Sequence, residues 1–501
     1  MSTPRRYWPR YVGALALVVL LMGASTAFAA IRFGDCLVIG CDQGTEGGGD
    51  TPEPLPPGPL DPVEPGEPQT LLLIGSDGRS KKSVDGDFGA HSDTMMLAHL
   101  DADRGAAVMS IPRDTEADVP GYGPRKINEA FTLGGSPLTV KTVKGLLGID
   151  INHVVEIDFE AFQRSVNELG CLHQDIDRSY FNDNSTGTNY AAINVRSGYQ
   201  LVCGGDTLDW VRFRHTDNDL VRGARQQEFL RSAKAQVAFS RLLSSGNDLV
   251  KIFRRYTRTD ITKGTELLTL MKLAVEAGKH DFSSVRFRAS DQPGTSNLAV
   301  SQTDLAIMRR EFQRLEGSRG PTTSPKAQSK GKTSSKTTKQ SGALATGLTK
   351  VASETTKPEL TEASFKLAAG KLPVYYPSVR LAVGGYAQRD PVRAYDIRPT
   401  RFSKRRYPAF RLTYSAGEGK YFGQYYGVQG TTWKDAPILR TAHDTVERRG
   451  RKLQVYRAGS RIRTVAWVTP SGAYWVSNSL SLALTNSQML DIAASLRRVP
   501  G

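Results

Sequence analysis

"HVVEIDFEAFQRSVNELG", residues 153–170, decides the fold class. Its first part, HVVEIDF (153–159), is an apolar run of strand length. Its second part, FEAFQRSVNELG (159–170), spaces its apolar residues as an amphipathic helix does. The same alternation recurs on either side. TLLLIGS (70–76), TMMLAHLD (94–101) and AAVMSIP (106–112) are short apolar runs with turn residues at their ends. SPLTVKTVKGLLG (136–148) has helical spacing, LDWVRFRH (208–215) reads as another strand, and RQQEFLRSAKAQVAFSRLL (225–243) as a long helix. Strands alternating with helices predict an α/β domain, a layered sheet covered on both faces.

The chain has 501 residues, too many for one typical domain. Its 66 Lys and Arg outnumber 50 Asp and Glu, giving a net charge of +16 and an affinity for some polyanion. The N-terminus narrows the choice. Arg5, Arg6 and Arg10 precede an uncharged stretch from Tyr11 to Ile31. About 20 apolar residues span a bilayer as a helix, and flanking arginines stay cytoplasmic. The other reading is a cleaved signal peptide, since AFAA (27–30) has the small residues of a cleavage site. Either way the chain is exported, which excludes nucleic acid as the partner and leaves the cytoplasmic membrane beside it. Export also permits disulfides. Pairing the four cysteines by proximity joins Cys36 to Cys41 and Cys171 to Cys203, and neither pair has the CxxC spacing of a zinc site.

Five segments follow: a tail and anchor (1–35), a stalk (36–68), a catalytic domain (69–316), a linker (317–368) and a C-terminal domain (369–501). Proline and glycine between residues 43 and 68 keep the stalk extended. Ser318–Ser353 carries seven Lys or Arg and no acid among many Ser and Thr, the composition of a solvated linker. After Lys371, RIRTVAWVTPSGAYWVSNSLSLAL (461–484) reads as a hairpin turning at TPSG, and NSQMLDIAASLRRV (486–499) as a closing helix. A small α+β domain is expected there, with Trp467, Tyr474 and Trp475 in its core.

The chemistry concentrates in VRFRHTDNDLVRGARQQEF (211–229), where Arg212, Arg214, Arg222 and Arg225 crowd together. Read as a strand, Arg212 and Arg214 share a face, and Arg222 and Gln226 are one helical turn apart. Guanidinium groups converging on one volume suit a diphosphate. Neutralisation by Asp217 and Asp219 is the other reading of the stretch alone. Two carboxylates at strand ends, Asp77 and Asp93, suit a hard cation such as Mg²⁺ or Mn²⁺. Asp85 and Asp87 in the intervening loop keep that assignment open. Arg113, Asp114, Lys126 and Asn128 cluster near the end of a third strand.

LLLIGSDGR (71–79), HSDTMML (91–97), SIPRDT (110–115), GYGPRKINEAF (121–131) and VRFRHTDNDLVRGARQQ (211–227) together resemble the LytR-CpsA-Psr family of bacterial envelope proteins. The resemblance runs from about residue 70 to 245 in the family's order and spacing. It implies a layered α/β/α domain with a mixed sheet and a membrane-anchored phosphotransferase. Such an enzyme moves a glycopolymer from a polyprenyl-pyrophosphate carrier onto peptidoglycan. Carried over by position, the metal carboxylates fall on Asp77 and Asp93. The catalytic basic residues fall on Arg113, Arg212, Arg214 and Arg222. Arg79, His91, Lys126, Asn128, Arg225 and Gln226 are placed as substrate contacts. His91 stands where the family usually has arginine, and an imidazole offers no bidentate fork. Asp114, Asp217 and Asp219 are candidate bases. A phosphatase using water as acceptor, and a polymer-binding protein without catalysis, are the rival readings.

Overall fold

The structure is a computed structural model that describes residues 55, 58–76, 92–185, 192–213, 219–237, 252, 255–278, 280, 282–313, 344–351, 361–363, 366–367, 371–417, 423–440 and 442–499. The apolar segment 11–31, Cys36 and Cys41 lie outside them, as do Asp77, Arg79, His91, Arg214 and Asp217. Among the described residues no helix is long and apolar enough to cross a membrane.

The expected strands form. β1 (Gln69–Ser76), β2 (Ser92–Asp101), β3 (Gly105–Ile111), β6 (His153–Asp158), β11 (Thr257–Thr259) and β12 (Phe282–Ser284) make a mixed sheet in the order β11-β6-β1-β2-β3-β12. β1, β3, β6 and β12 run one way, β2 and β11 the other. The period of two sorts the side chains. Leu71, Leu73, Met96, Ala98, Val108 and Val155 enter one core, while Leu72, Ile74, Leu97, Ala107, Met109 and Val154 enter the other. Burial on both faces is why these strands read as unbroken apolar runs.

Helices supply the outer layers. α1 (Glu129–Leu147), bent where Gly134 and Gly135 leave helical geometry, packs Val140, Val143 and Leu147 on one face. α6 (Gln302–Gln313) joins it with Leu305, Met308 and Phe312. The other face meets α2 (Phe159–Glu168), α3 (Gly204–Arg212), α4 (Asp219–Gln236) and α5 (Gly264–Gly278). The stretch quoted at the outset folds as read: β6 runs into α2, and Asp158 caps the helix by accepting from the Ala161 amide at 2.6 Å.

One element departs from expectation. Residues 208–215 were expected as a strand, yet the chain is helical to Arg212. Thr207, Leu208 and Val211 are buried together, an i, i+1, i+4 face that outweighs the alternation of Leu208, Trp210 and Arg212. Smaller pairs complete this unit: β4 (Glu116–Val119) with β5 (Gly123–Lys126), β7 (Leu172–Ile176) with β10 (Gly198–Val202), β8 (Tyr180–Asn182) with β9 (Ile193–Val195), and β13 (Ser290–Asp291) with β14 (Leu298–Ala299).

Cys171 and Cys203 form the expected disulfide, fastening the start of α3 to the turn that follows α2. Closing a loop of 32 residues restricts the unfolded chain. Replacing both cysteines with serine is expected to cost about 2–4 kcal/mol. A urea midpoint identical to that of wild type would contradict this.

The C-terminal unit is an antiparallel sheet in the order β18-β19-β20-β24-β23-β22-β21. Its strands are β18 (Val392–Ile397), β19 (Tyr407–Ser415), β20 (Tyr425–Thr431), β21 (Asp444–Arg448), β22 (Arg451–Ala458), β23 (Arg461–Val468) and β24 (Ala473–Ser477). β23 and β24 are the expected hairpin, with Thr469 and Gly472 closing the TPSG turn. Trp467, Tyr474 and Trp475 are buried, as expected of core residues. The closing helix is shorter than expected. α7 (Asn486–Ala494), started by a Thr485–Gln488 capping box, gives way to β25 (Leu496–Arg498). β25 pairs with β16 (Tyr375–Pro377), burying Leu496 and leaving Arg497 and Arg498 exposed. The expected linker also contributes structure, since β15 (Leu348–Lys350) pairs with β17 (Val379–Leu381).

Candidate functional site

β1, β3 and β6 end, and β2 begins, at one edge of the mixed sheet. This is the carboxyl edge of the parallel strands, where open α/β sheets place ligands. Ser76 pairs with Ser92 across β1 and β2. In the sequence Asp77 follows Ser76 and Asp93 follows Ser92. The side chains of both lie outside the described residues.

Beside the edge lies a cleft between the sheet and the three helices α2, α3 and α4. Leu73 and Met96 form its floor, with Ile157, Phe159, Phe162, Leu208, Val211, Phe229 and Leu230 around it. Its polar groups, Thr94, Asp158, Arg212 and Gln226, come from positions closer to the sheet edge than Leu73 and Met96. Arg212 closes α3 and lays its guanidinium 3.7 Å above the Phe159 ring. Burial raises the Asp158 carboxyl above its ordinary range, with the Ala161 cap bond opposing. Burial likewise raises Asp209, which the charge of Arg212 opposes.

Gln226 is fixed on both sides. Its Oε1 accepts from Ser110 Oγ at 3.2 Å, and its Nε2 donates to Thr94 Oγ1 at 3.1 Å. Among the described residues these are its side-chain partners, which leaves one N–H and one lone pair of the amide for a ligand. Gly223, one turn earlier, lets α4 approach β3, because a Cβ there would lie 3.1 Å from Ser110 Cβ. Arg222 is nearly buried and shares the Gln226 side of the helix.

Arg225 departs from its expected role as a substrate contact. It is fully buried, and its Nη1 donates to the carbonyls of Trp210 at 2.9 Å and Phe213 at 2.8 Å. Its guanidinium stands over Tyr180 and ties the end of α3 to α4. The face it shares with Val221 and Phe229, four residues to either side, carries the signal that it points inward.

Arg113, Asp114, Lys126 and Asn128 form a neighbouring corner. The Arg113 carbonyl accepts the Asn128 amide at 3.3 Å. Lys126 Nζ lies 2.9 Å from Asp114 Oδ1 and 2.9 Å from Ser296 Oγ. Asp114 is thus engaged by a cation before any substrate arrives. Asp219 opens α4 with its side chain outside the described residues. Thr94, Ser110, Asp158 and Phe159 were not among the sequence candidates. Only the capping position of Asp158, between strand and helix, marked any of them.

An apolar cleft whose polar groups gather at a sheet edge suits an amphiphile with an anionic head. The family model LytR_cpsA_psr matches residues 49–314, more than half of the chain. The polyisoprenyl-teichoic acid–peptidoglycan teichoic acid transferase TagT of Bacillus subtilis is 33% identical over 161 residues, covering 32% of this chain and 50% of its own length. The corresponding TagU of Oceanobacillus iheyensis is 27% identical over 266 residues, 51% of this chain and 78% of its own. The chain spans about half the length of the first curated relatives it matches. Among solved structures, B. subtilis TagV aligns with 25% identity and a TM-score of 0.41, over 50% of this chain and 97% of that one. TagT with bound octaprenyl pyrophosphate lipid aligns with 24% identity and a TM-score of 0.36, over 51% and 93%.

Proposed function

The chain belongs to the LytR_cpsA_psr family, and on that footing we propose that it is a phosphotransferase of the bacterial envelope. It takes a glycopolymer from a polyprenyl-pyrophosphate carrier and joins it to peptidoglycan through a phosphodiester. The observation that carries this is the apolar cleft with Arg212, Gln226 and Asp158 toward the sheet edge. Ten of its lining residues are apolar and suit a prenyl chain, while the cation of Arg212 suits the diphosphate. The apolar segment 11–31 would hold the chain at the cytoplasmic membrane, where that carrier resides.

Phosphoryl transfer asks the protein for alignment and charge neutralisation more than for covalent help. A peptidoglycan hydroxyl attacks the phosphorus bearing the glycan. The bond from that phosphorus to the bridging oxygen breaks, polyprenyl monophosphate leaves, and the hydroxyl proton passes to a base or to solvent. Arg212, stacked on Phe159, has its fork held in one orientation before substrate arrives. Gln226, fixed by Thr94 and Ser110, holds α4 and hence Arg222 against the sheet. Arg113 and Arg214 are assigned to the same anion by sequence position. Mg²⁺ or Mn²⁺ on Asp77 and Asp93 would supply further neutralisation of phosphate charge.

Incubating the full chain with a lipid-pyrophosphate glycan, Mg²⁺ and peptidoglycan oligomers should give a phosphodiester-linked adduct by mass spectrometry. Glycan phosphate released at the same rate without acceptor would instead make it a hydrolase. Unconsumed carrier would leave a polymer-binding protein. The metal assignment has its own check. Titration calorimetry with MgCl₂ should show one site in wild type, weakened at least ~10-fold, about 1.4 kcal/mol, in Asp93→Asn. Equal affinities would move the ion to other residues.

A further inference from the structure

The C-terminal sheet does not sit apart from the site. Arg463, on β23, donates from Nη1 to Glu228 Oε1 at 3.0 Å. Glu228 lies on α4, two residues beyond Gln226 and directly before Phe229 and Leu230, which line the cleft. Its other oxygen pairs with Arg231, and the carboxylate is nearly buried. A second tether acts at the end of the same helix. Gln236 bonds the backbone of His173 in both directions, accepting from its amide at 2.7 Å and donating to its carbonyl at 2.6 Å. His173 lies on β7, and β7 is gripped by the C-terminal sheet. His173 Nε2 lies 2.8 Å from the Arg398 carbonyl, and Asp175 Oδ1 lies 2.9 Å from Arg411 Nη1.

We infer that the C-terminal domain is a positioning element of the transfer site, and that Arg463 is a positioning residue acting through Glu228 on α4. The hydrogen bonds of Gln226 to Thr94 and Ser110, at 3.1 and 3.2 Å, leave α4 little room to slide. A displacement of about 1 Å in a group that aligns substrate can cost ~10²-fold in rate. A buried ion pair adds little net stability but is directional, and its best-attested use is fixing register. Arg463–Glu228 has that character: it crosses between two units and ends beside the residues that line the cleft. A freely tethered wall-binding module would have no reason to place a cation there.

This inference rests on the proposed transfer reaction, and the test keeps the two separable. Full-length wild type, Arg463→Met, Arg463→Lys and, as a control, the exposed Lys452→Met are compared by amide hydrogen exchange and by transfer kinetics. Arg463→Met should raise exchange across residues 219–237 about tenfold and lower kcat about tenfold or more with a smaller change in KM. Arg463→Lys should recover part of both, and Lys452→Met should match wild type. Unchanged exchange in 219–237 together with kcat within twofold of wild type would overturn the inference. So would a fall in thermal stability with kcat unchanged in the folded protein, since that marks a merely structural pair. If wild type transfers nothing, the functional reading fails, and exchange alone still decides whether Arg463 holds α4.

Discussion

Arg212→Ala is expected to lower kcat/KM for transfer by 10²–10³-fold, the loss seen when one aligned charge-stabilising donor is removed. The side chain is partly exposed, ends α3 and covers the Phe159 ring at 3.7 Å beside the cleft. Its loss from the fold is small by comparison, about 0.5–1 kcal/mol for an exposed cation–π contact. Activity should therefore fall far more than stability. Arg212→Lys keeps the charge but not the planar stack or the fork, so it should restore only part of the rate. If Arg212→Ala transfers within threefold of wild type, the cleft does not hold the reacting diphosphate.

Arg411→Ala is expected to cost about 3–5 kcal/mol, the penalty for breaking a buried ion pair and stranding its partner. Arg411 is 1% exposed, and Asp175, 2.9 Å away, is 8% exposed. The carboxylate also accepts from Trp475 Nε1 at 3.3 Å and from Ser477 Oγ. The sheet makes space for the guanidinium at Gly427, where any side chain would collide with it. A double replacement, Asp175→Leu with Arg411→Met, should recover most of the loss, because the cost lies in the unpaired charge. A denaturation curve for Arg411→Ala that overlays wild type would show that the two units are not joined there. Acid should weaken the neighbouring contact. Burial opposes ionisation of Glu228, but Arg463 and Arg231 outweigh it and hold the carboxyl below its ordinary value of 4.5. A depressed pKa contributes stability in full above about 4.5 and loses it as pH falls through the lower folded value.

The central strands were legible because the sheet is covered on both faces, so Leu71–Ile74 and Ala106–Met109 must be apolar throughout. β6 and α2 were legible because the period changes sharply at Asp158. α3 was not. It is nine residues long and begins at Gly204 and Gly205, poor helix formers that conceal its start. The C-terminal hairpin announced itself through a local turn, whereas the strand order around it depends on pairings distant in sequence.

The site divides in the same way. Arg212, Arg222 and Gln226 were singled out through residue type and family pattern, and the fold brings Arg212 and Gln226 to one cleft. Thr94 and Ser110 were missed because each is an ordinary strand residue until α4 lies across it. Arg225 was misassigned because a run of arginines does not declare which one turns inward. Arg463 had no local signal at all. Its partner Glu228 is 235 residues away in sequence.

The most direct measurement follows the phosphorus that carries the glycan. A carrier labelled with ³²P at that atom alone is given to the full chain with peptidoglycan oligomers, and the label is traced with time. Label is expected in peptidoglycan, retained through digestion to the muropeptide, with unlabelled polyprenyl monophosphate released in equal amount. Label remaining on the lipid, or passing to water at a rate indifferent to peptidoglycan, would contradict it.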